Sequence, residues 1–161
     1  MFLQAQFQTL FAYHWHTTLN LLELASILDD AEYHANPGYG HGALHDLFFH
    51  LLRTDMSWRK ALQTGRQTAG IEPAQFPDYE SLRAGFAQEQ AEWQMYLQGL
   101  SEEQIQNNIE LVNWRGDAVT FARWRILQHL VLHGMQHDAE IAQLLTAKGQ
   151  APGNLDFIFF Q

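Results

Sequence analysis

From Leu3 to about Asp30, the residues Phe7, Leu10, Phe11, His14, Thr18, Leu21, Leu22, Ala25 and Leu28 recur at steps of three and four. That spacing lines one face of an α-helix. No proline or glycine interrupts the run, so a helix of roughly 40 Å is expected. Asn36-Pro37-Gly38-Tyr39-Gly40 is a breaker cluster that ends it. A second stripe, Ala43, Leu47, His50, Leu51, Thr54, Trp58 and Ala61, predicts a helix from about Gly42 to Thr64. Residues 65–77 carry Gly65, Gly70, Pro73 and Pro77 and read as loop. Asp78 is a good N-cap for a third helix reaching about Gln98, with Gly99 where a C′ glycine belongs. Ser101-Glu102-Glu103-Gln104 reads as a capping box for a short extra turn.

Between Ile109 and Val119 the pattern changes to alternation, broken by the turn signal Arg115-Gly116-Asp117. A small hairpin or irregular loop is expected there. Thr120 is a candidate cap for a last long helix ending near Lys148-Gly149. The tail Leu155-Asp156-Phe157-Ile158-Phe159-Phe160 is too apolar to be left in solvent, and is expected to pack on the bundle or on a second subunit. Four long amphipathic helices predict an all-α, four-helix bundle. Two long connections suggest a crossover topology. Residues 1–161 are the length of one domain.

Charge narrows the function. Lys and Arg number 9 against 18 Asp and Glu, for a net charge of −9. Phosphate neutralisation needs a basic face, so nucleic acid is not an expected partner. The only lysines are Lys60 and Lys148, which excludes a polybasic membrane patch. The N-terminus shows no signal-peptide pattern and no stretch reaches about 18 apolar residues, so a soluble cytoplasmic protein is expected. Cysteine is absent, which removes disulfides, zinc knuckles and any thiol nucleophile of the chain's own.

Histidine is in surplus, with 9 in the chain. His129, His133 and His137 recur at steps of four on the last helix, and two imidazoles at i and i+4 can reach one ion. A third ligand must come from another helix. His50 is the leading candidate, because an unpaired imidazole on an apolar stripe is costly. Spacing alone leaves a second reading open, in which the run is a solvated face flanked by Gln136, Asp138 and Glu140. His14 lies on the first stripe as a polar core residue or a supporting partner of such a site. His16, His34 and His41 read as surface or loop residues, and His45 as structural. Trp58, Trp93, Trp114 and Trp124 read as packing. No GxSxG elbow, P-loop, Rossmann glycine pattern or diiron ExxH pair occurs.

Several phrases resemble the DinB/YfiT family of metal-dependent four-helix-bundle proteins. Leu44-His45-Asp46-Leu47-Phe48-Phe49-His50-Leu51 with Trp58 resembles the family's second helix. Phe76 to Leu82 with Glu92-Trp93 resembles its third, and Ser101-Glu102-Glu103 the turn that follows. His129 to His137 resembles its fourth-helix signature, and Gly149 to Pro152 with Leu155-Asp156-Phe157 its ending. The resemblance implies one divalent transition metal, zinc or nickel, held by His50, His133 and His137. It gives His129 a supporting place, and it implies a homodimer. The family commonly reads His-Arg-Gly-Gln at the last ligand, where this chain has His137-Asp138-Ala139-Glu140. Glu140 thus reads as a supporting acceptor, a base, or a solvated carboxylate, the last being the plainer reading.

Three imidazoles leave a coordination position open. The expected function is a metal-dependent enzyme of thiol-transferase or hydrolase type acting on a small molecule. Any thiol, such as a low-molecular-weight one, must be borrowed. No catalytic residue is singled out. The alternative is a non-enzymatic metal-binding stress-response protein, and a third reading is a bundle whose histidines bind nothing.

Overall fold

A computed structural model describes residues 2–68 and 70–161. Four long helices dominate it: α1 (Leu3–Ala25), α3 (Leu44–Thr64), α4 (Tyr79–Gln98) and α6 (Arg123–Ala147). The short helices α2 (Asp30–Tyr33) and α5 (Glu102–Gln106) and the antiparallel hairpin β1 (Asn108–Val112) and β2 (Ala118–Ala122) complete it, with a 3-10 turn at Pro73–Gln75 and another at Phe157–Phe159.

Local signals explain most of the boundaries. Asp78 accepts from the Ser81 amide at 2.9 Å and starts α4, and Ser101 accepts from the Gln104 amide at 3.2 Å and starts α5. The hairpin turn closes on Asn113, whose side-chain oxygen accepts from the amides of Arg115 and Asp117. Gly116 takes a φ of 90° there, which side chains resist.

Three expectations are corrected, and a fourth holds in part. The first helix stops at Ala25 rather than near Asp30, because the Ser26 hydroxyl folds back on the Glu23 carbonyl at 2.6 Å. Asp29 and Glu32 then form a capping box that starts a separate turn, α2. Thr120 does not cap the last helix; it lies in β2, and α6 begins at Arg123 without a side-chain cap. Gly99 has a φ of −80°, so its glycine freedom is not used. The tail returns only in part. The Tyr13 hydroxyl donates to the Leu155 carbonyl, and the Phe157 and Phe160 rings pack on Tyr13 at 5.1 and 5.6 Å. Ile158 and Phe159 remain exposed.

Packing gives the crossover. α1 and α3 each contact both α4 and α6, so the ring order is α1–α4–α3–α6 and the two consecutive long helices α1 and α3 stand diagonally. The core between them holds Phe11, Trp15, Phe48, Phe86, Trp93 and Leu127, all buried. Apolar burial of this kind supplies the main driving force of folding. Polar pairs cross the core as well. Arg59 on α3 makes two bonds to Glu89 on α4, at 2.6 and 2.7 Å. His14 on α1 meets Asp55 on α3 at 3.0 Å. The α3–α6 seam remains, and its histidines form the candidate site. No described helix is long and apolar enough to cross a membrane.

Candidate metal centre

α3 and α6 bring three imidazoles to one point. His133 and His137 sit one turn apart on α6, and their Nε2 atoms are 3.2 Å apart. Across the seam, His50 Nε2 lies 3.1 Å from His133 Nε2. One ring nitrogen carries a single proton or a single lone pair, so His133 Nε2 cannot serve both neighbours well by hydrogen bonding. A tetrahedral ion with metal–nitrogen distances of about 2.0–2.1 Å places its ligands about 3.3 Å apart. The donor set therefore fits a divalent cation. His137 is almost wholly enclosed, while His50 and His133 are half-buried.

The electrostatics favour the neutral, ligating form. Burial and the neighbouring imidazoles His137 and His50 push the His133 pKa down to about 3. Burial lowers those of His50 and His137 as well, although Glu140 opposes the fall at His137. Neutral imidazole is the state that binds metal.

A second layer surrounds the three. Glu140 Oε2 lies 2.9 Å from His41 Nδ1 and 3.5 Å from His137 Nδ1. The latter is long, and His137 Nδ1 is buried without a formed hydrogen bond. A proton on that nitrogen facing the carboxylate leaves the Nε2 lone pair for an ion, the usual carboxylate–histidine arrangement. Glu140 is thus paired, not the solvated carboxylate of the plainer reading. His41, read from the sequence as a surface or loop residue, is exposed in the loop before α3, yet its ring stands edge-on to His137 at 4.6 Å. Periodicity could not find it, because a loop has none. His41, His137 and Glu140 form a second group whose ligand atoms lie within 4.8 Å of one another, as do those of His50, His133 and His137.

The other histidines separate from these. His129 is exposed and packs on Trp58 and His133, at ring distances of 6.1 and 5.7 Å. His14 is fully enclosed beneath the site. Burial works against its proton, but the charge and hydrogen bond of Asp55 outweigh that and raise its pKa. Gly134 on α6 makes room for it: a Cβ there would stand 2.3 Å from His14 Nδ1. Asp138, next to the site, accepts from the Thr18 hydroxyl, and burial pushes its carboxyl up to about 7. His45 donates to the Phe76 carbonyl at 2.7 Å and is structural, and His16 bonds Asn20 at the surface.

Beside His50 a cleft of about 530 Å³ opens between α3, the following loop and the hairpin turn. Trp58 and Trp114 line it, with Arg53, Thr54 and Ser57.

A family model, that of the DinB family, matches residues 1–161. The chain belongs to the DinB family. Among solved structures, this DinB protein is similar to YfiT from Bacillus subtilis, described as "a probable metal-dependent hydrolase with an unusual four-helix bundle topology". The two share 15% identity, the match covers 91% of this chain and 90% of that one, and the TM-score is 0.64. At that identity the likeness carries the fold, and the ring order found here is the crossover bundle expected from the sequence. A search of curated proteins gives no match.

Proposed function

We propose that this DinB protein is a metal-dependent hydrolase of a small molecule, with His50, His133 and His137 holding one divalent ion. The observation that carries the reading is the convergence of their three Nε2 atoms, at 3.1 and 3.2 Å about His133. Imidazole donors suit zinc and nickel among the common ions. When bound, such an ion supplies Lewis acidity, polarising a substrate oxygen or activating water.

The chain's own groups do the rest. Glu140 orients His137 and holds His41 against the site. The cleft beside His50 admits the substrate to the side of the centre that protein does not cover. Thiol transfer, the other chemistry the family resemblance implies, would need a thiol carried in by a small molecule, because cysteine is absent.

Elemental analysis after mild purification is expected to find zinc or nickel in stoichiometric amount. His133→Ala should lower metal affinity by more than about a hundredfold, and His129→Ala by far less. Equal losses would refute the ligand assignment. Metal-free protein whose melting is unchanged by added zinc or nickel would refute the centre itself. A panel of esters, amides and thiol acceptors, run on the loaded protein, separates hydrolysis from thiol transfer and from a protein without turnover.

A further inference from the structure

We propose that the cleft beside His50 selects a small organic anion, a carboxylate or a phosphate ester, whose charge is met by Arg53 and whose body lies against Trp58 and Trp114. As a statement about substrate it rests on the metal-dependent reading above. As a statement about binding it can be tested apart from that reading.

Charge comes first. The chain carries twice as many acidic as basic residues, 18 against 9, yet among the described residues no Asp or Glu lines this cleft. Among the described residues that line it, the formal charge is the Arg53 guanidinium. Two arginines elsewhere are matched: Arg59 pairs with Glu89 and Glu92, and Arg83 lies at 4.0 Å from Glu80. Among the described residues Arg53 makes no ion pair. A guanidinium offers a planar fork of donors suited to carboxylate and phosphate. A cationic ligand would meet that charge with no carboxylate to offset it.

Position comes second. Arg53 follows His50 by three residues on α3, which puts it on the same face one turn on. An anion held by Arg53 therefore lies within one helical turn of the three-histidine centre.

The walls supply the rest. Trp114 is 68% exposed at the mouth, and the Arg115 guanidinium covers its ring at 4.6 Å. Trp58 is steadied by Phe121 and His129, at ring distances of 6.4 and 6.1 Å. Two indoles give a flat or apolar body surface to cover, and the Thr54 and Ser57 hydroxyls can serve its polar edges. A volume of about 530 Å³ suits a small molecule rather than a polymer.

The test uses three probes of one shape: benzoate, phenyl phosphate and neutral benzamide, titrated into the protein as purified and followed by tryptophan fluorescence and calorimetry. One or both anions should saturate where benzamide does not, and the tighter of the two identifies carboxylate or phosphate as the preferred group. Arg53→Gln should weaken the anion by roughly tenfold or more, and Arg53→Lys should restore part of the loss. Because Arg53 is exposed, both variants should keep the wild-type circular dichroism and melting. Benzamide binding as tightly as the anions, or Arg53→Gln binding them like the wild type, would overturn the proposal. Zinc and nickel titrations run alongside separate the two readings. Arg53-dependent anion binding in a protein that takes up neither ion would leave this inference standing and sink the metal centre. Zinc uptake without Arg53-dependent anion binding would do the reverse.

Discussion

Gly134 is where one missing methyl group sets the packing beneath the histidine centre. Alanine ordinarily stabilises a helix interior by about 1 kcal/mol over glycine. At this position its Cβ would stand 2.3 Å from His14 Nδ1, and His14 is enclosed and tied to Asp55. Overpacking of that kind costs about 1–3 kcal/mol. Gly134→Ala should therefore lower the urea midpoint, with an unchanged or higher midpoint showing that His14 can shift aside. Glu140 is a second residue of this kind. Glu140→Gln restores the amide common in the family but removes the charge shared by His41 and His137. Zinc affinity should fall about tenfold, as read by competition with a chromophoric chelator. The two residues differ in how far the sequence could foretell them. The i, i+4 step of His133 and His137 is visible as spacing, as is the stripe that carries His50. The contact of His41 with Glu140 joins a loop to a helix 99 residues away, and no local pattern encodes it.

Helices start and stop on local chemistry when the cap is a neighbour in sequence, and on tertiary contacts when it is not. Asp78 and Ser101 are of the first kind and were legible. The start of α1 is of the second. Phe2 offers no side-chain cap, and the amides of Leu3 and Gln4 instead donate to the two oxygens of Glu102, each at 2.9 Å. Glu102 thus serves α1 across 99 positions while sitting in the first turn of α5. Its sequence context, a capping box beginning at Ser101, shows only the local half of that role. Glu102→Ala should cost about 1 kcal/mol, fraying the first turn of α1, and amide hydrogen exchange at residues 3–6 should rise. Exchange unchanged there would mean that solvent caps α1 equally well. The end of α6 was readable from Gly149, which takes a φ of 81°. Its start was not, since Thr120 is drawn into the ladder opposite Glu110.

Across the whole molecule, the crossover lets α3 and α6 share a seam although α4, α5 and the hairpin come between them in sequence. Three imidazoles in that seam link stability to pH. Their pKa values lie below the ordinary 6.5, that of His133 at about 3. Below pH 6.5 the unfolded chain takes up protons that the folded one refuses, so their contribution to stability falls as the pH drops from about 6.5 toward 3. Asp138, raised to about 7, acts in the opposite sense, so the comparison must hold it constant. In chelator, stability should fall less steeply between pH 6.5 and 4 for His133→Asn than for the wild type. Parallel profiles would remove His133 from the balance.

His50 and His133 are 83 positions apart, so an ion shared between them ties a large loop of chain into a closed circuit. Such a clasp penalises the open chain and slows escape from the native state. On the proposed ligand set, survival of the protein would be a measure of metal supply. Digestion by a metal-independent protease should be slow with zinc and fast in chelator, and His133→Ala should be cut at the fast rate under both conditions. Under the metal-dependent reading proposed above, the abundance of the polypeptide would follow the supply of the ion without any dedicated sensor.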